Sequence, residues 1–217
     1  MITTADFKKQ IAKPFGQEMR MHGYKGTGFE YRQETDNYLI AVYIDPSRWG
    51  GSCSAGFAVH PKQVDHDYYG KINFENLKTY QYEFRMSLAE DPNGPSWKYS
   101  DDEKTNLETH AKIMETIKYI AFPVIEQFKA SPSILELFEV NEMSQFHESW
   151  TKRTGVFIAT TSERFAWATA LVLEKKDLMK AKQFAQWCLA QSHYDESEEE
   201  WFGDKDLRRI LATNNGA

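Results

Sequence analysis

The sequence has little that could crosslink the chain or carry it across a membrane. Cys53 and Cys188 stand far apart among 217 residues and form no CxxC pair, so neither a disulfide framework nor a zinc ribbon is predicted. We interpret both as reduced, buried side chains. No apolar stretch reaches the roughly 18 residues of a membrane-spanning helix, and the first residues lack the apolar core of a secretion signal. We therefore expect a cytoplasmic protein with no membrane partner.

Basic residues are outnumbered by acidic ones. The chain has 26 Lys and Arg against 32 Asp and Glu, and the excess of acid falls in residues 1–150, with 16 basic against 22 acidic residues. Proteins that bind duplex nucleic acid usually present a basic surface that neutralises phosphates, so we expect no such partner. An acidic run is either a solvated loop or a docking patch for a basic protein partner. That run consists of Asp195, Glu196, Glu198, Glu199 and Glu200.

Catalytic and cofactor-binding motifs are missing as well. The chain contains no P-loop, no GxGxxG, no HExxH and no GxSxG, each of which requires fixed residue types at a fixed spacing. We therefore predict no cofactor and assign no catalytic residue. The densest set of possible metal ligands is His60, Asp65, His66 and Asp67, in a polar segment after a predicted strand. No periodicity brings these four together, so we interpret them as solvated side chains rather than a metal site.

What the sequence does contain is hydrophobic periodicity, which predicts an α+β fold. Apolar and polar residues alternate from Tyr80 to Leu88, and this alternation predicts a strand with one apolar face. Three earlier strand patterns favour an antiparallel sheet of about four strands backed by helices. The predicted strands cover 29–32, 38–44, 54–60 and 80–88, and the predicted helices cover 4–22, 100–128, 162–175, 177–191 and 204–211.

Glycine residues and helix-capping residues between these patterns predict the boundaries of helices and domains. Gly23, Gly26 and Gly28 indicate a link between the first helix and the first strand. Helix starts are predicted at Ser100 with Glu103, at Ser131 with Pro132, and at Thr160 with Glu163. We predict an α+β core domain over 1–139 and a C-terminal helical extension, including a helical hairpin, over 151–217.

One face of the predicted sheet carries charged and polar side chains. Glu30 and Arg32 on the first strand, and Gln81, Glu83 and Arg85 on the fourth, occupy alternating positions, and we expect them to share that face. Arginine side chains there could bind an anionic group or a partner. The alternative is a solvated face with cross-strand ion pairs that each contribute a few tenths of a kcal/mol. Arg32, Glu83 and Arg85 are therefore candidate binding residues.

Several short segments form a recognisable pattern. They are Gly23-Tyr24-Lys25 after the first helix, Gly28-Phe29-Glu30-Tyr31-Arg32 in a strand, Phe84-Arg85 in a later strand, Trp97 in a loop, and a long helix that meets Pro123. The pattern resembles that of a family of bacterial proteins catalogued as a domain of unknown function, over about residues 5–138. The resemblance implies the same architecture and no established activity. It marks Arg32, Arg85 and Trp97 as shared positions, so Trp97 joins the candidate binding residues.

Two classes of function fit these observations. The lack of a catalytic constellation, together with acidic, aromatic-rich segments, favours a non-catalytic binding or accessory protein, such as an immunity protein or an adaptor, with a basic protein as its partner. The alternative is a hydrolase or transferase that acts on a small anionic substrate at the polar sheet face. A deep pocket holding two of Arg32, Glu83 and Arg85 would favour the enzyme, and a flat face would favour the binding protein.

Overall fold

An antiparallel sheet lies at the centre of the fold. A computed structural model describes residues 4–67, 70–88, 97–191, 201 and 203–214. The strands are β1 (Lys25–Thr27), β2 (Glu30–Glu34), β3 (Tyr38–Pro46), β4 (Ser52–Pro61), β5 (His66–Asp67), β6 (Gly70–Lys71), β7 (Phe84–Leu88) and β8 (Trp97–Lys98). The main sheet has the order β1-β2-β3-β4-β7, and β8 pairs with the first residues of β4. Every pairing in it is antiparallel, as the sequence predicts.

Helices cover one face of this sheet. They are α1 (Thr4–Met21), α2 (Glu103–Thr116), α3 (Phe122–Lys129), α4 (Ile134–Leu137), α5 (Phe146–Thr154), α6 (Ser162–Leu173), α7 (Leu178–Gln191) and α8 (Asp204–Ala212). The predicted apolar stripe of α1, from Phe7 to Met19, is completely buried. It packs into a main core that also contains Phe57, Phe84 and the α6 residue Phe165. The predicted α+β fold is therefore confirmed.

The opposite face of the sheet carries a second, smaller core. Ala41 and Ala58 at its centre are fully buried beneath Ile72, Leu77 and Tyr82. The chain between β6 and β7 thus lies across this face. The expectation of a continuous polar face was wrong, because small side chains in the middle of the sheet let this segment pack closely over them.

The fourth predicted strand is shorter than expected. Residues 79–81 form a 3₁₀ turn, in which the Lys78 amide donates to the Gln81 side-chain oxygen at 2.9 Å, and β7 begins only at Phe84. Tyr80 is 71% exposed, whereas Tyr82 belongs to the second core. The alternating apolar and polar residues before Phe84 therefore belong to a segment that crosses over the sheet. Buried and exposed side chains alternate along a strand only from Phe84 to Leu88.

Several predicted boundaries also move. The glycine-rich link contains a strand, β1, which pairs with β2. Asp102 rather than Ser100 caps α2, accepting from the Thr105 amide at 2.8 Å, and Thr161 rather than Thr160 caps α6, accepting from the Arg164 amide at 3.3 Å. The short helix after α3 begins at Ile134 with Ser133 before it, not at Pro132. At α2 and α6 a neighbouring polar side chain thus accepts from a free helical amide, and at α4 the Glu136 side chain accepts from the Ser133 amide at 3.1 Å.

The long predicted helix is interrupted by a π turn. Residues 117–121 widen the helix between α2 and α3, and the Phe122 amide donates to the Ile117 carbonyl. Pro123 follows at once. Since proline has no amide hydrogen and its ring crowds the preceding turn, the wider turn accommodates it without ending the helix.

Both cysteines are free and buried, as predicted. Burial raises the pKa of each thiol to about 12. Among the described residues, no helix is both long and apolar enough to cross a bilayer. The main core contains residues from Phe7 to Ile210, so α6 and α8 contribute to the same core as the sheet. The division into 1–139 and 151–217 stays a prediction.

The alternation of buried and exposed side chains along β7 predicts that substitutions on its two faces differ greatly in their effect on stability. Phe84→Ala should lower the free energy of unfolding by about 3–5 kcal/mol, because the ring is fully buried in the main core. Ser87→Ala, the control on the exposed face of the same strand, should change it by less than about 0.5 kcal/mol. Urea denaturation measures both, and equal effects would contradict the assigned faces.

Candidate functional site

The sheet register separates the two candidate arginines. Arg32 pairs with Ala41, Ala41 with Ala58, and Ala58 with Arg85, so the four residues form one row across β2, β3, β4 and β7. Arg32 and Arg85 share a face, as expected. Three strand spacings nevertheless put their Cα atoms about 14 Å apart, and the second core lies between them. They therefore belong to different sites.

Arg32 is already paired. Its Nε donates to Glu30 Oε1 at 2.8 Å, and its Nη2 donates to the same oxygen at 2.5 Å. Trp97 is 1% exposed within the main core, where it cannot contact a ligand on the opposite face. These positions leave Glu83 and Arg85 as the two candidate residues that lie together.

Glu83 and Arg85 line a cleft at the edge of the sheet, with a volume of about 560 Å³. Its floor is the start of β7, and one wall is the 3₁₀ turn at Tyr80. The facing wall is the segment before α6, where Ile158 bridges Met86 and the Ala159 amide donates to the Arg85 carbonyl at 2.8 Å. The C-terminal part of the chain thus builds half of this cleft.

A buried ion pair fixes the floor of the cleft. Arg164, on the first turn of α6, donates from Nε to Glu83 Oε1 at 2.9 Å and from Nη2 to Oε2 at 2.6 Å. The Glu83 side chain is 1% exposed and that of Arg164 is 39% exposed. These hydrogen bonds raise the pKa of the Arg164 guanidinium. Because both carboxylate oxygens are occupied, Glu83 serves as an anchor for α6 rather than as a free base.

His60 lies on the side of the sheet that carries the second core, and it forms a hydrogen bond with the backbone of Glu83. The imidazole is fully buried, its Nε2 lies 2.7 Å from the Val64 carbonyl, and its Nδ1 accepts from the Glu83 amide at 3.2 Å. A ring that accepts at Nδ1 must carry its proton on Nε2, so His60 is neutral here. Burial lowers the pKa of His60, against a smaller opposing effect of the Val64 carbonyl.

The guanidinium of Arg85 has no partner within the part of the chain that the structure describes. Within the described residues it makes no hydrogen bond and no ion pair through its side chain. It lies between the cleft and a neighbouring cavity of about 400 Å³, and it lines both. An arginine that is half-buried in a concave site and not paired by the protein is available for an anionic group from outside.

Aromatic side chains form the rim of the cleft. Tyr80 is 71% exposed and Phe157 is 59% exposed. His147 stacks on Phe157, with ring centroids 5.5 Å apart and planes 12° apart. Exposed rings on both sides of a cleft offer a flat apolar group two surfaces for stacking.

The four possible metal ligands after the third predicted strand do not form a group that could hold a metal ion. In the described part of the chain, no group of three or more histidine, cysteine, aspartate or glutamate side chains could hold a metal ion. His60 points into the sheet, as described above. His66 lies between two carboxylates instead, at 3.0 Å from Asp65 and 3.1 Å from Asp206, and so connects β5 to α8.

Comparison with known proteins places the fold in a family. A family model described as "Domain of unknown function (DUF4304)" matches residues 15–127, which is more than half of the chain. The chain belongs to this family. No curated protein and no solved structure matches it.

The family match divides the cleft in two. Tyr80, Glu83 and Arg85 lie within the matched residues, whereas Phe157 and Arg164 lie beyond them. Sequence reasoning found Glu83 and Arg85 but missed the residues of the opposite wall. No local signal connects positions 83 and 164, which are 81 residues apart. The acidic run at 195–200 lies outside the described residues, and a basic partner for it stays a prediction.

The buried ion pair predicts an asymmetric response to mutation. Arg164→Met should lower the free energy of unfolding by about 3 kcal/mol, because it leaves the buried Glu83 carboxylate unpaired. Glu83→Gln should cost less, since Arg164 can turn to solvent. The control is Arg209→Met, which breaks an ion pair with Glu174 at an arginine that is 51% exposed and should cost less than about 1 kcal/mol. Chemical denaturation would contradict the ion pair's role if all three variants lost the same stability.

His60 predicts a pH dependence of stability. Its pKa is lowered on folding, so below the unfolded value of about 6.5 the unfolded state binds more protons, and stability falls as the pH falls. Between pH 7.5 and 5.5 the loss from one such histidine is up to about 1.4 kcal/mol. His110, whose pKa burial also lowers, adds a loss of the same sign. His60→Gln should therefore show a smaller loss than the unmodified protein over this interval, and an identical loss would argue against a neutral His60.

Proposed function

We propose that this protein is a binding protein whose cleft takes a ligand with an anionic group next to a flat apolar group. The observation that carries the proposal is the half-buried Arg85 guanidinium, which the described residues leave without a partner in a cleft rimmed by exposed rings. A carboxylate or phosphate would pair with Arg85, and the apolar group would lie between Tyr80 and Phe157. Carboxylate and phosphate groups both carry negatively charged oxygens that accept hydrogen bonds from an arginine side chain.

Binding is favoured over catalysis by the state of the acidic group in the cleft. The cleft holds two of the three candidate residues, which by itself would favour an enzyme. Glu83, however, is saturated by Arg164 and is not free to take a proton from a substrate or a water molecule. The role of Glu83 is to hold the cleft together, and Arg85 remains as a binding group.

The test compares two arginines of the same sheet face. Isothermal titration calorimetry with phenyl phosphate and with N-acetylphenylalanine should detect binding to the unmodified protein. Arg85→Gln should weaken it about 10- to 100-fold, the loss of one charge-assisted contact of about 1.5–3 kcal/mol. Its melting temperature should not change, since the side chain makes no described ion pair.

The matched control is Arg32→Gln, in the same row of the sheet but paired with Glu30. It should leave probe binding unchanged. Equal weakening in both variants would reduce the effect to net charge and contradict a specific site. Release of phosphate from phenyl phosphate, lost in Arg85→Gln, would instead favour the hydrolase or transferase alternative.

A further inference from the structure

The cleft continues into a second cavity, and this continuity bears on the shape of the ligand. Tyr80 and Arg85 line both the cleft and the neighbouring cavity, which we call the side cavity. An anionic group on Arg85 would therefore stand at the junction of the two. The rest of a ligand can extend in both directions from that point. This step rests on the function proposed above.

The side cavity differs from the cleft in its chemistry. It is lined by Asp45, Tyr43 and Thr79, among others. Within the described residues, the Asp45 carboxylate and the Tyr43 hydroxyl have no hydrogen-bond or ion-pair partner. The Thr79 hydroxyl oxygen is buried and also lacks a partner there. A buried polar atom without a partner is costly, so the Thr79 hydroxyl indicates a missing hydrogen-bonding group, and the exposed Asp45 carboxylate and the half-buried Tyr43 line the same cavity beside it.

Tyr43, Asp45 and Thr79 line one space together with Arg85 and Glu30, and the pKa of the Tyr43 hydroxyl reflects the charges around it. Burial raises the pKa of the Tyr43 hydroxyl, Arg85 lowers it, and Asp45 and Glu30 raise it. The hydroxyl is thus within electrostatic range of one cation and two carboxylates. Glu30 is occupied by Arg32, and this leaves Asp45 as the available negative charge. A positively charged group with several donors, such as an ammonium, complements a carboxylate flanked by hydroxyl oxygens.

The register gives the distance that such a ligand has to span. Asp45 lies on β3, two strands from Arg85 and four residues along from Ala41, the β3 residue in the row of Arg85. Standard strand spacings put the Cα atoms of Asp45 and Arg85 about 16 Å apart. A ligand that joins the two charges therefore has to be extended, and a short peptide, at roughly 3.3–3.6 Å per residue, has this form.

We propose that the ligand is a short peptide with a free amino terminus that ends in an aromatic residue. Its C-terminal carboxylate pairs with Arg85, and its aromatic side chain enters the cleft between Tyr80 and Phe157. Its amino terminus extends into the side cavity, where Asp45 accepts from the ammonium and the hydroxyls of Tyr43 and Thr79 complete the contacts. Both charges of the zwitterion are then matched.

The experiment varies one end of the ligand at a time. Glycyl-phenylalanine, its N-acetylated form and its C-terminal amide are titrated into the full chain at pH 7 by calorimetry. Acetylation, which removes the ammonium, should weaken binding at least 10-fold, and amidation should do the same by removing the carboxylate. Asp45→Asn should weaken binding of the free dipeptide at least 10-fold and leave the acetylated form unchanged.

The control is Asp36→Asn, an exposed aspartate before the other end of β3 that removes the same charge away from the side cavity. It should bind the free dipeptide as the unmodified protein does. Equal binding of the free and acetylated dipeptides, or equal effects of Asp45→Asn and Asp36→Asn, would overturn the peptide assignment and leave the anion site standing. An acetylated hexapeptide ending in glycyl-phenylalanine that binds as tightly as the dipeptide would also overturn it, in favour of a protein C-terminus. Failure of every probe, including phenyl phosphate and N-acetylphenylalanine, would overturn both proposals.

Discussion

A carboxylate that is 1% exposed must be paired, and the pairing of Glu83 with Arg164 determines how the sheet meets the C-terminal helices. Two hydrogen bonds fix the guanidinium against the start of β7 and so place α6 at the edge of the sheet. His60 holds the Glu83 amide from the other side. Together with the bridge between Met86 and Ile158 and the hydrogen bond from the Ala159 amide to the Arg85 carbonyl, this connection holds the segment around Phe157 as the second wall of the cleft.

Arg85 lies two residues after Glu83 in the chain, and its charge is treated differently. Both side chains line the cleft, and Glu83 is paired with Arg164, whereas Arg85 has no ion-pair partner among the described residues. A guanidinium kept partly solvated at the mouth of two cavities costs little as long as water reaches it, and it gains strength when a ligand excludes that water. The internal ion pair thus holds Glu83 and the fold around it, and Arg85 is the group that we propose for ligand binding.

The sequence predicts the parts of this site that depend on local pattern. Period two from Phe84 to Leu88 places Arg85 on the face opposite the main core, and periodicity also locates α1, α6 and α7. The exposure of Tyr80 could not be predicted, because residues 79–82 keep the alternation of a strand while forming a turn. Arg164 could not be predicted either. Its partner is set by how helices pack on a sheet edge, and no spacing in the chain encodes that contact.

The origin of the two walls has a consequence for recognition within the family. Arg85, the proposed anion-binding residue, and Tyr80 lie within the residues that the family model matches, whereas Phe157 and Arg164 follow them. The anchor and the apolar wall are therefore built by different parts of the chain. A change in the C-terminal helices would alter which apolar group fits against Tyr80 without removing the charge that holds the anion. The side cavity, with Tyr43, Asp45 and Thr79, lies wholly within the matched residues, so the two charged ends of the proposed peptide would be read by one part of the chain and its aromatic side chain by both.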